Sequence, residues 1–140
     1  MILVDTSGLL AALFPNQRLH QECAQVLTES EGPFIMSPFV LGELDYLVAK
    51  FADVNVELEL LNEVAREAYR LAPFDAQDVD IAGKVISRYA DLGIGLADAS
   101  LVVLSQRYGV AKILTLDERH FRVLRGVNDT PFRLLPMDLQ

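Results

Sequence analysis

The chain has 140 residues, enough for one sizeable core, and its make-up of 51% apolar and 23% charged residues is that of a globular rather than a disordered protein. No apolar run approaches the roughly 18–20 residues of a membrane span, and a lone cysteine, Cys23, excludes an internal disulfide or a cysteine-rich zinc site. The formal net charge of −8 argues against simple electrostatic binding of nucleic acid.

In chain order, MILVD reads as a short apolar strand ending in an acid, and it carries no basic leader, so a cytoplasmic setting is expected. TSGLLAALF has helical spacing with Thr6 or Ser7 available as N-cap. After the break at Pro15-Asn16 a second helix is predicted from Leu19 to about Glu29, closed by Glu31-Gly32-Pro33. FIMS reads as a buried strand, and Pro38 opens the helix PFVLGELDYLVAKF. Helix is predicted from Val54 to about Arg70, a short strand within Tyr69–Phe74, and helix again over Ala76–Leu92. Gly93 and Gly95 interrupt the chain before LADASLVVLSQRY. ILTL is a fourth strand ending in an acid, Asp117–Leu124 a short helix, and FRLLP a last edge strand stopped by Pro136. Short apolar strands alternating with amphipathic helices predict an α/β layer fold with a mostly parallel sheet of about five short strands, forming one domain over residues 1–140.

The acids follow a pattern. Ligands bind beyond the carboxyl ends of the strands in an open parallel sheet, and two strands end there in Asp5 and Asp117. Each aspartate alone has a simpler reading as an N-cap. Asp98, however, shares a predicted helix face with Leu101, Val102 and Ser105, and a buried carboxylate needs a partner or a cation. A fourth acid is expected from PFVLGELDYLVAKF, where Glu43 lines up with Phe39, Val40, Tyr46 and Leu47. Asp45 lies with Leu41 and Val48, and spacing leaves that choice open. Carboxylates gathered at one sheet edge repel each other, and a hard divalent cation such as Mg²⁺ or Mn²⁺ resolves the conflict through oxygen ligands. The chemistry matched to such a site is phosphodiester hydrolysis. Charge distribution is compatible with it: residues 1–80 are net acidic, whereas the tail is net basic through Lys112, Arg119, Arg122, Arg125 and Arg133, with His120 among them. That tail reads equally as a solvated surface or as a face for nucleic acid.

With MILVDTSGLLA, SPFVLGELDYLVA, GLADASLVVL and ILTLDERHF in this order, the chain resembles the PIN-domain nucleases, and among them the VapC-type toxins of type II toxin–antitoxin modules. The resemblance covers essentially the whole chain and selects Glu43 over Asp45. It implies a three-layer α/β/α fold and a Mg²⁺- or Mn²⁺-dependent endoribonuclease that acts as a toxin on growth or translation. Asp5 and Asp98 are then direct metal ligands, and Glu43 and Asp117 complete the site directly or through water. Thr6 and Thr115, beside acids, either orient them by hydrogen bonds or are simple exposed or capping hydroxyls. It also implies an RNA substrate, a small antitoxin partner, a homodimer and no membrane association. The alternative is a catalytically silent PIN-like module that binds RNA or protein. A haloacid-dehalogenase phosphatase needs a second aspartate where Ser7 stands, and a phospho-receiver domain needs an acid pair at the first strand that MILVDTS lacks.

Overall fold

The computed structural model describes residues 1–139. Five short strands, β1 (Ile2–Val4), β2 (Phe34–Met36), β3 (Arg70–Leu71), β4 (Lys112–Leu114) and β5 (Arg133–Leu135), form one sheet in the order β3-β2-β1-β4-β5. Every pairing is parallel. The helices are α1 (Thr6–Leu13), α2 (His20–Glu29), α3 (Pro38–Phe51), α4 (Val54–Ala65), α5 (Ala76–Arg88), α6 (Leu96–Tyr108) and α7 (Glu118–Phe121). Alternation along the strands feeds two cores. Leu3, Ile35, Ile113 and Leu134 pack on one face with α5, α6 and Phe121. Ile2, Val4, Met36, Leu114 and Leu135 pack on the other with α1, α2 and the Leu44–Val48 side of α3. Apolar residues on both faces of each strand are what a sheet covered twice by helices requires, and the result is three layers.

Several boundaries differ from the sequence reading, each for a local reason. The backbone N-cap of α1 is Asp5 rather than Thr6 or Ser7. α4 stops at Ala65, short of Arg70, because Glu67 takes φ 65°. In that left-handed conformation the amides of Glu67 and Ala68 donate to the carbonyls of Val64 and Glu63. This is a Schellman closure built without the usual glycine. The segment predicted as one helix over Ala76–Leu92 is divided at Tyr89, after which Ala90–Leu92 forms a 3₁₀ turn closed by Gly93 at φ 72°. The helix predicted over Asp117–Leu124 is shorter, spanning Glu118–Phe121.

β1 lies at the centre of the sheet, flanked by β2 on one side and β4 on the other. The connection from β1 runs toward β2, whereas β4 is reached from the far half of the chain, so the crevice between the ends of β1 and β4 is the topological switch point. Gly8 lets α1 approach that crevice: a Cβ at this position would run into the backbone carbonyl of Leu114. Gly8→Ala is therefore expected to destabilise the protein by about 1–3 kcal/mol, the range for overpacking a well-packed site. A urea unfolding midpoint equal to wild type would contradict that close approach.

Candidate active site at the switch point

Asp5 follows β1 directly and is buried, with 5% of its surface exposed. As the residue before α1 it could cap the helix, yet its side chain makes no capping bond. Its Oδ2 instead accepts from Thr115 Oγ1 at 2.7 Å and from Ser7 Oγ at 3.0 Å. Ser7 Oγ lies 3.2 Å from Thr115 Oγ1 and also accepts from the Leu116 amide at 2.9 Å. These hydroxyls stitch the β1–α1 turn to the β4–α7 turn across the crevice. Burial pushes the Asp5 carboxyl above its ordinary range, against the opposing hydrogen bonds of Thr115 and Ser7.

Asp98 enters from the opposite side, in the first turn of α6. Gly95 is the N-cap and contributes no side chain, so Asp98 is left to face the crevice, where the positive end of the helix dipole favours its charge. Burial, then repulsion from Asp5, raises its carboxyl to about 6, with His120 opposing the shift. Asp117 does act as a cap: its Oδ1 accepts from the His120 amide at 3.0 Å. Its other oxygen is turned toward the same side chain that meets Asp98. His120 Nδ1 lies 2.9 Å from Asp98 Oδ2 and 2.9 Å from Asp117 Oδ2.

Glu43 reaches the site by a different route. The buried stripe of α3 is Val40, Leu44 and Val48, so Glu43 borders the core rather than entering it, contrary to the expected apolar face. Its Oε1 accepts from Thr6 Oγ1 at 2.8 Å, which ties it to the residue after Asp5. Asp45 points elsewhere. It lies against Glu57 of α4, whose carboxyl is raised by that contact, and one Asp45 oxygen is buried without a hydrogen bond.

Thus Asp5, Asp98 and Asp117 converge, Glu43 is attached through Thr6, and Thr115 supports Asp5. The residues that sequence reasoning passed over are Ser7 and His120. His120 carried a signal, since it stands three residues after Asp117, the spacing that places two side chains on one helix face. The donor set is dominated by carboxylate oxygen, with one imidazole beside it, and Asp98, Asp117 and His120 each present a ligand atom within 4.8 Å of the others. Such a set fits a hard divalent cation. The basic tail is dispersed: Lys112 and Arg133 open β4 and β5 at the edge away from the acids, and Arg122 pairs with Glu118 and Asp138. Arg119 alone is both exposed and adjacent to His120 in sequence.

A model of the PIN domain matches residues 2–126. The chain belongs to the PIN-domain family. Ribonuclease VapC26 of Mycobacterium tuberculosis is 39% identical over 135 residues, covering 96% of this chain and 100% of that protein. The fold is shared with the crystal structure of Mycobacterium tuberculosis VapC20, a sarcin–ricin loop cleaving toxin. The TM-score is 0.78 at 17% identity, over 84% of this chain and 91% of that one. A toxin–antitoxin complex from Klebsiella pneumoniae matches with TM-score 0.66 at 20% identity, over 91% of this chain and 95% of that one.

Proposed function

We propose that the protein is a Mg²⁺- or Mn²⁺-dependent endoribonuclease of the VapC kind, acting as the toxin of a toxin–antitoxin pair. The observation that carries this reading is the convergence of Asp5, Asp98 and Asp117 at the switch point of a parallel sheet, with burial and mutual repulsion raising the carboxyls of Asp5 and Asp98. Asp5 and Asp98 would hold the cation directly. Glu43 and Asp117 complete the site, directly or through water, with Glu43 placed to orient an attacking water or accept its proton. Thr115 and Thr6 fix the carboxylate rotamers through the bonds described above. When bound, the cation supplies positive charge to a phosphodiester oxygen and makes water a better nucleophile. The 39% identity to a ribonuclease over nearly the whole chain supports RNA as the substrate.

The protein works as one domain in the cytoplasm; among the described residues no helix is long and apolar enough to cross a membrane. It pairs with a small antitoxin and forms a homodimer. The apolar residues Tyr46 and Phe51 of α3 and Val54 and Leu58 of α4, all more than half exposed, support an association surface.

Incubation with total cellular RNA tests the reading. Discrete cleavage is expected with Mn²⁺ or Mg²⁺ and none with EDTA. RNA left intact under every condition, by protein that still binds it, would favour the silent binding module.

A further inference from the structure

We infer that His120 is a positioning residue of the metal site, a brace that fixes Asp98 and Asp117 relative to each other and turns Asp98 toward the cation. The inference rests on the metal-dependent reading proposed above and adds a residue to it. Its basis is geometric. One ring nitrogen stands 2.9 Å from an oxygen of each of two carboxylates that belong to different helical segments, Asp98 in α6 and Asp117 at the cap of α7. Ionised carboxylates only accept hydrogen bonds, so Nδ1 is the donor in its hydrogen bond to Asp98 Oδ2, while Asp117 Oδ2 lies in close contact with the same nitrogen. The same residue grips Asp117 a second time, because its backbone amide donates to Asp117 Oδ1 at 3.0 Å. His120 thus hydrogen-bonds one oxygen of Asp117 and lies against the other. Asp98 has only Oδ2 engaged, and among the described residues its Oδ1 accepts no hydrogen bond.

The imidazole can serve as a brace because α7 is itself anchored. Phe121, the next residue, is fully buried and packs edge-on against Phe132 with ring centroids 5.5 Å apart. His120 is mostly covered, with 19% of its side chain exposed, so it has little freedom to swing out. Hydrogen bonds to the non-ligating oxygens of metal-binding carboxylates orient the ligating ones and restrict their rotamers, and loss of such a partner typically weakens metal binding 10–100-fold. Without the brace, Asp98 and Asp117 also face each other with one fewer group between them, which favours splaying apart.

Mn²⁺ affinity, measured calorimetrically at fixed pH on wild type, His120→Ala and His120→Asn, tests this. His120→Ala is expected to bind Mn²⁺ about 10–100-fold more weakly. Its activity is expected to fall at sub-saturating metal and to recover as Mn²⁺ is raised. His120→Asn keeps an N–H close to the position of Nδ1 and is expected to recover most of the affinity. That rescue separates bracing from simple loss of stability, as does an unchanged melting temperature in EDTA. Wild-type affinity in His120→Ala would overturn the inference alone. Tighter binding would also overturn it, because the imidazole would then be competing with the ion. A Co²⁺ spectrum showing nitrogen coordination in wild type, lost in His120→Ala, would make His120 a ligand instead. Failure of the wild type to bind Mn²⁺ would remove the metal-dependent reading and the brace together.

Discussion

Asp98→Asn is expected to lower RNA cleavage by on the order of 10³-fold or more, a loss typical of removing a principal member of a catalytic constellation. The substitution changes charge with almost no change of shape. An asparagine carbonyl can still accept from His120 Nδ1, so the contact at 2.9 Å between α6 and α7 survives while the anion does not. Asp5→Asn should be as severe, since Thr115 and Ser7 hold that carboxylate in a single orientation from which no neighbouring acid can substitute. Glu43→Gln should cost less, about 100-fold, the lower end of what a positioned base contributes, because Glu43 reaches the site from its border and the amide can still accept the bond from Thr6. Initial rates on one RNA, with saturating Mn²⁺ and equal concentrations of folded protein, would measure all three. An Asp98→Asn variant retaining a tenth of wild-type activity would remove Asp98 from the catalytic machinery.

How far the sequence announced this arrangement depends on the kind of signal involved. The layers were legible because apolar strands such as ILV and FIM have no polar face to offer, which requires helices on both sides of the sheet. Chain order then brought the ends of MILVD and ILTLD to one edge. What periodicity could not provide was direction at a helix margin. Glu43 and Asp45 both neighbour apolar residues in sequence, yet one touches Thr6 and the other Glu57, a choice made by how α3 rolls on Leu44 and Val48. Similarly, the end of α4 was hidden because a glutamate, Glu67, occupies the left-handed position where glycine is the usual signal. The two aspartates at strand ends also proved unlike each other. Asp117 does cap its helix, whereas Asp5, at the same kind of boundary, leaves its helix uncapped and accepts from hydroxyls across the crevice. His120 was obscured by its company, since a histidine between Arg119 and an apolar phenylalanine in ERHF reads as part of a basic surface.

The raised carboxyls lead to a second large effect, on stability. In the unfolded chain Asp98 titrates near the ordinary aspartate value, close to 3.9, whereas in the fold it is pushed up to about 6, by burial first and by Asp5 next. Between these two values the folded form holds more protons than the unfolded form, so stability falls as pH rises through that window and levels off above it. With EDTA present, Asp98 alone should destabilise the protein at pH 7.5 relative to pH 4.5 by up to about 2 kcal/mol, because pH 4.5 already lies above the unfolded value, a melting-point difference of roughly 7 °C for a chain of this size. Asp98→Asn should lose that part of the slope and melt higher than wild type at pH 7.5, because the variant no longer buries an anion beside Asp5. Mn²⁺ should reverse the order. A cation bound only by the folded state at one hundred times its dissociation constant adds about 2.7 kcal/mol, and the variant lacking the Asp98 charge should gain much less. The measurement is a set of thermal unfolding curves from pH 4.5 to 7.5 for the two proteins, with EDTA and with Mn²⁺. The difference between wild type and variant isolates Asp98 from every other titrating group. If that difference does not change with pH in EDTA, the buried carboxylate is already neutralised by its surroundings, and the site needs no cation to be stable.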